Sequence, residues 1–147
     1  MSFLTKQEML DTVRRHMHLQ GKPSIDPTTL NCRYQNPDGC KCAVGVFMDN
    51  YNPKLDEGYG VGLRTVKGKS GPELGTLWMD VFKETMSRVN LEDNEIFLTL
   101  SFFQYAHDSF RTQDGDFVEY FEDCLGSWVE GKGQGRGLEF KPVGELV

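Results

Sequence analysis

Cys32-Arg33-Tyr34-Gln35-Asn36-Pro37-Asp38-Gly39-Cys40-Lys41-Cys42-Ala43-Val44-Gly45 holds three of the chain's four cysteines around one sharp turn. Asn36, Pro37 and Gly39 stand where a type I turn favours Asn at its first position, Pro at its second and Gly at its last. The alternation on either side predicts two short strands, about 31–35 and 40–46. A hairpin at this point makes the fold α+β rather than all-helical.

Working outward, four stretches carry helical spacing. Thr5-Lys6-Gln7-Glu8 is a capping box, with Leu4 and Met9 placed as a hydrophobic staple. Met9, Leu10, Val13 and Met17 form the stripe of a helix over about 6–20, Gly21 and Pro23 stop it, and Arg14, Arg15 and His18 are read as lying off the stripe. A second helix opens at Ser70-Gly71-Pro72, with Pro in the first turn, and carries Leu74, Leu77, Trp78, Val81, Phe82, Met86 and Val89 to an end near Asn90. A third, after Asp93 or Asn94 and reaching about Phe110, is apolar on most sides and is placed at the centre. The fourth follows Asp116, buries Phe117, Phe121, Cys124, Leu125 and Trp128, and stops at Gly131.

Between these, residues 24–31 read as irregular, and the acidic, aromatic run from Asp49 to Gly60 reads as an exposed loop, with a further strand near 61–66. Residues 131–137, with Gly at every second position, are predicted to be a flexible connector. Leu138 to Val143 then forms an edge segment, because Pro142 has no amide to donate. The expected architecture is a single α+β domain over 1–147, mostly helical with about four helices and a small antiparallel β-hairpin or sheet.

A chain of 147 residues with net charge −6 suits one soluble domain and lacks the basic face that DNA binding requires, so nucleic acid is not expected as a direct ligand. No stretch approaches the ~18 consecutive apolar residues of a membrane span, and no export signal opens the sequence. The expected location is the cytoplasm, with the thiols reduced.

Several groupings bear on chemistry. Cys42, if the chain turns helical there, would sit at a helix N-terminus, and His107 could serve it as base in a thiol-dependent hydrolase. Asp108 is an orienter only with difficulty, because adjacent helical residues diverge by about 100°. A lone histidine on an apolar helix face is more often a hydrogen-bonded core residue. Cys32, Cys40 and Cys42, with His107 or Cys124 as fourth ligand, could hold zinc, but Cys40-Lys41-Cys42 is not the usual paired-thiol spacing. Buried, unliganded thiols are the favoured reading, and no cofactor is expected. Tyr51, Lys54, Asp56, Glu57 and Tyr59 in the acidic loop, with Lys132 and Arg136 in the glycine run, are the candidate binding residues.

The segment 32–45, its continuation Tyr51-Asn52-Pro53-Lys54-Leu55-Asp56-Glu57-Gly58 and the later Gln104-Tyr105-Ala106-His107-Asp108 resemble small uncharacterised proteins of tailed bacteriophages and prophages. Those proteins pair a Tyr-x-x-Pro-Asp-Gly turn with Cys-Ala-x-Gly and a Gln-x-x-His-Asp stretch, and the likeness covers about half the chain. It implies an accessory protein of the infected cell that binds and inhibits a bacterial host or defence protein complex without catalysis. The thiol hydrolase and a zinc-stabilised interaction module are the alternatives.

Overall fold

The computed structural model of the chain describes residues 2–56 and 72–146, with 72–78 as backbone alone. It is a mostly helical single domain, with four α-helices among the described residues: α1 (Lys6–Gln20), α2 (Pro72–Thr85), α3 (Asn94–Asp108) and α4 (Phe117–Glu130). Short 3-10 turns occupy Gly45–Phe47, Pro53–Asp56, Ser109–Thr112 and Val143–Glu145. Glu57, Tyr59, the expected strand at 61–66 and the Ser70-Gly71 cap fall outside the described residues. No described helix is long and apolar enough to cross a membrane.

The helix boundaries follow their caps. Thr5 and Glu8 close a reciprocal capping box on α1, and Gly21 ends that helix at φ 74°, a left-handed conformation that costs glycine little. Asp93 accepts from the Glu95 and Ile96 amides at the start of α3, and Asp116 accepts from Val118 and Glu119 at the start of α4. The second helix ends at Thr85 rather than near Asn90. Its Thr85 carbonyl accepts from the Asn50 amide at 3.1 Å, and the Asp49 carboxylate takes both the amide and the hydroxyl of Ser87. A loop distant in sequence thus captures groups at the end of the helix.

Met9, Leu10, Val13 and Met17 of α1 meet Leu100 and Phe103 of α3, Phe121 and Leu125 of α4, and Phe82 of α2 in one buried cluster. Each such side chain stabilises the fold by about 1.5–3 kcal/mol relative to exposure. α3 packs against both α1 and α4, as its apolar character predicts. Its second face, however, points outward, with Leu98 and Tyr105 exposed and Phe102 stacked on Trp128 at 5.4 Å between centroids.

The expected hairpin is corrected: the described residues contain no strand, only isolated antiparallel bridges at Ile25–Cys32 and Gln35–Lys41. The turn itself forms, with the Gly39 amide donating to the Asn36 carbonyl at 2.9 Å and the Asn36 amide to the Cys40 carbonyl at 2.8 Å. A ladder fails to extend because distant side chains take the backbone groups it needs. Asp56 accepts from the Tyr34 and Gln35 amides, and Gln20 both accepts from the Lys41 amide and donates to its carbonyl. Gln104 accepts from the Val44 amide.

The C-terminal segment is likewise no strand. Gln7 of α1 pairs with both backbone groups of Glu139, and Arg14 donates to the Lys141 carbonyl at 2.7 Å. Within the glycine run, the Arg136 amide donates to Gly133 and the Leu138 amide to Gly135. Gly135 lies so close to Trp128 that a Cβ there would stand 2.5 Å from the indole. That stretch therefore packs as successive turns instead of spanning open solvent.

Candidate functional site

The two motif segments meet. Gln104 Oε1 accepts from the Val44 amide at 3.1 Å, while Gln104 Nε2 donates to Asp108 Oδ1 at 2.7 Å. The same Asp108 oxygen lies 2.9 Å from His107 Nδ1. Divergence around the helix does not keep these neighbours apart: Nδ1 is the ring nitrogen nearest the backbone, and the short carboxylate folds across to it. His107 Nε2 in turn accepts from the Ser24 amide at 2.9 Å.

An amide can only donate, so Nε2 is the bare nitrogen and Nδ1 carries the proton that it gives to Asp108. Both imidazole nitrogens are thereby filled, and the ring is buried. Ser24 is equally committed: its carbonyl accepts from the Arg33 amide and its hydroxyl donates to the Cys40 carbonyl. The result is a buried polar network that fixes the base of the cysteine segment against α3.

Each thiol has its place around this network. Cys42 is fully buried, and burial drives its thiol far above the ordinary cysteine range despite the Gly45 amide that donates to Sγ at 3.3 Å. It does stand just ahead of the Gly45–Phe47 turn, yet without the exposure a nucleophile needs. Cys40 is also buried, and burial followed by the nearby Asp38 carboxylate pushes its thiol up. Cys32 is half-buried; burial and then the nearby Asp108 carboxylate push its thiol up strongly. Cys124 is half-buried on α4.

Among the described residues, the ligand-type atoms that converge are those of Cys32, His107 and Asp108, all within 4.8 Å of one another, rather than the three thiols. This trio does not fit zinc. The metal would need a lone pair on the imidazole, but Ser24 uses one and a proton occupies the other, and the Cys32 thiolate is disfavoured beside a carboxylate. It is a Cys-His-Asp trio wired as structure, with His107 bonded to Asp108 and to the Ser24 amide.

The acidic loop is partly internal. Tyr51 donates its hydroxyl to Asp56 Oδ2, and burial followed by that carboxylate pushes its phenol up to about 12. Asp56 is used in holding the Tyr34 and Gln35 amides. Lys54, Lys132 and Arg136 are exposed. A cleft of about 190 Å³ runs between Asn50, Tyr51, Asn52 and Pro53 on one side and Val81, Glu84 and Thr85 on the other. That is below the ~300–1,000 Å³ usual for small-molecule sites.

Two features lay beyond the sequence reading. Arg14, expected off the core stripe, is 1% exposed; its guanidinium makes two 2.7 Å bonds to Glu122 of α4 and covers the Phe140 ring at 3.6 Å. The other is the loop from Asp26 to Asn31. Asp26 Oδ1 accepts from the Thr28 and Thr29 amides and Oδ2 binds Arg33, while the Asp26 amide donates to Asn31 and the Leu30 amide to Asp26. An Asp two and three residues ahead of open amides is the signature that could have marked this loop. At its tip Leu30 is 68% exposed with φ 62°, the one non-glycine residue at positive φ among those described.

No protein-family model, curated protein or solved structure matches the chain.

Proposed function

We propose that the chain is a non-catalytic binding protein, a phage-type accessory factor that docks on a bacterial host or defence protein complex in the cytoplasm and inhibits it. The observation that carries this reading is Leu30. A left-handed conformation costs a leucine about 1–2 kcal/mol, and here the strained residue also leaves an apolar side chain in water. Five hydrogen bonds hold Pro27, Thr28, Thr29 and Leu30 outward in one geometry, which lowers the ordering cost of binding. Leu30 is the anchor that enters an apolar pocket on the partner.

The state of the thiols and of His107 supports the same reading, since a hydrolase needs a thiolate within reach of an open imidazole nitrogen. The test compares the wild-type chain with Leu30→Gly and Leu30→Asp in capture from bacterial lysate. Glycine relieves the strain, so Leu30→Gly should melt at or above the wild-type temperature and yet lose a partner that the wild type retains in fixed stoichiometry. Equal capture by all three chains would remove the loop from the interface.

A further inference from the structure

The cleft of about 190 Å³ between residues 50–53 and the end of α2 is small for a cofactor, but it holds the space of about six waters at ~30 Å³ each. One long side chain fits such a space. The wall is electronegative. Val81, Glu84 and Thr85 line it at the C-terminal end of a 14-residue helix, where aligned peptide dipoles leave partial negative charge. The Glu84 carboxylate adds a full charge at the same place. It takes no hydrogen bond or ion pair among the described residues, whereas Asp49 holds Ser87 and Glu92 pairs with Lys83. Asn50 gives its amide to the Thr85 carbonyl and its Nδ2 to the Glu84 carbonyl at 3.5 Å, which leaves its Oδ1 as a further acceptor.

The chain supplies this negative end with no cation of its own. No Lys or Arg is among the residues that line the cleft; Lys54 is exposed beyond Pro53, and Lys83 is drawn to Glu92. Tyr51 completes the wall. Its hydroxyl is donated to Asp56, which fixes the ring, and a fixed ring beside a carboxylate suits a flat cation. A guanidinium stacks on an aromatic face while its planar fork of donors meets a carboxylate; an ammonium is more strongly hydrated and has no face to stack.

We propose that this cleft receives one arginine side chain of the partner protein, its guanidinium paired with Glu84, hydrogen-bonded to Asn50 Oδ1 and stacked on Tyr51. For the partner's identity the inference rests on the docking reading above. Arg33 lies between the two places, bonded to Asp26 of the Leu30 loop at 3.0 Å and standing beside Tyr51. The partner surface that both places select combines an apolar pocket for Leu30 with a projecting arginine for the cleft.

The experiment titrates the isotope-labelled full chain with N-acetyl-arginine N-methylamide and follows the amide chemical shifts. Saturating shifts should appear at Asn50, Tyr51, Asn52, Glu84 and Thr85. Glu84→Gln should weaken the dissociation constant at least fivefold. Asp80→Asn removes the same charge from an exposed position of α2 outside the cleft, and should leave the constant within twofold. The lysine analogue should bind at least threefold more weakly than the arginine one, and the neutral citrulline analogue should not saturate. Equal effects of the two substitutions would reduce the binding to general attraction by an acidic chain and overturn the proposal. Equal binding of the citrulline analogue, or no shift with any of the three, would do the same. Capture from bacterial lysate separates this site from the Leu30 reading. If Glu84→Gln loses the analogue but captures the partner like the wild type, the proposal falls and the Leu30 reading stands. If Leu30→Asp captures like the wild type while Glu84→Gln loses both the analogue and the partner, the Leu30 reading falls and the arginine site stands.

Discussion

Gln104 Oε1 accepts the Val44 amide while its Nε2 donates to Asp108, so one side-chain amide joins the Cys42-Ala43-Val44-Gly45 segment to the acid that orients His107. Removing it leaves the Val44 amide without its partner. Gln104→Ala should cost about 1–3 kcal/mol in urea unfolding. Gln104→Glu keeps the acceptor for Val44 but sets a second carboxylate against Asp108, so its deficit should grow as pH rises through the carboxylate range. A pH-independent deficit would place the two groups out of contact.

Gly45 meets the backbone of Tyr34: a Cβ on it would stand 1.9 Å from the Tyr34 carbonyl oxygen. Its neighbour is the opposite limb of the turn. Neither limb can retreat, because Asp56 holds the Tyr34 amide and the Cys42 amide donates to the same carbonyl. Gly45→Ala should therefore cost about 3 kcal/mol, read from the denaturation midpoint at unchanged slope.

Burial alone pushes the Glu122 carboxyl up, but its bonds to Arg14 and His18 outweigh that and hold it below its ordinary value of 4.5. The stability it contributes is fully present above about pH 4.5 and is lost as pH falls through the lowered folded value. Glu122→Gln should destabilise the chain by about 3 kcal/mol at neutral pH, because it leaves the Arg14 charge buried without its counterion. The acid limb of its pH–stability curve should be shallower than that of the wild type. An unchanged limb would show that other carboxylates govern acid unfolding.

Cys42 should resist thiol reagents in the native chain. Its raised thiol and full burial predict that, at about pH 8, it is modified only after denaturant is added. Peptide mapping after brief alkylation should find label on Cys32 or Cys124, the half-buried thiols, well before it reaches Cys42. Early label on Cys42 would revive the hydrolase reading.

Local signals in the sequence carried most of the helical framework. The capping box at Thr5, the caps at Asp93 and Asp116 and the stops at Gly21 and Gly131 are contained within a few residues each, and the helices begin and end with them. The Asn36–Gly39 turn was legible for the same reason. What escaped depends on partners far along the chain. Arg14 is buried because Glu122 and Phe140 wait for it, and α2 stops at Thr85 because Asp49 and Asn50 intervene. Residues 31–46 have the alternation of a hairpin, but Gln20, Asp56 and Gln104 compete for its backbone groups and win. His107 is buried and bonded at both ring nitrogens, and its contact with Asp108 is a side-chain detail that helical spacing alone does not reveal.

Gln20 and Gln7 sit near opposite ends of the same helix, and each fills the amide and carbonyl of one residue in a passing segment, Lys41 and Glu139. A glutamine side chain reproduces the donor and acceptor of a neighbouring strand and then ends in its own helix. At Lys41 and Glu139 the chain is paired as if in a sheet while presenting no further backbone edge on the partner side. The protein thus gains the hydrogen bonds of β-structure at these positions without the templating edge through which sheets aggregate.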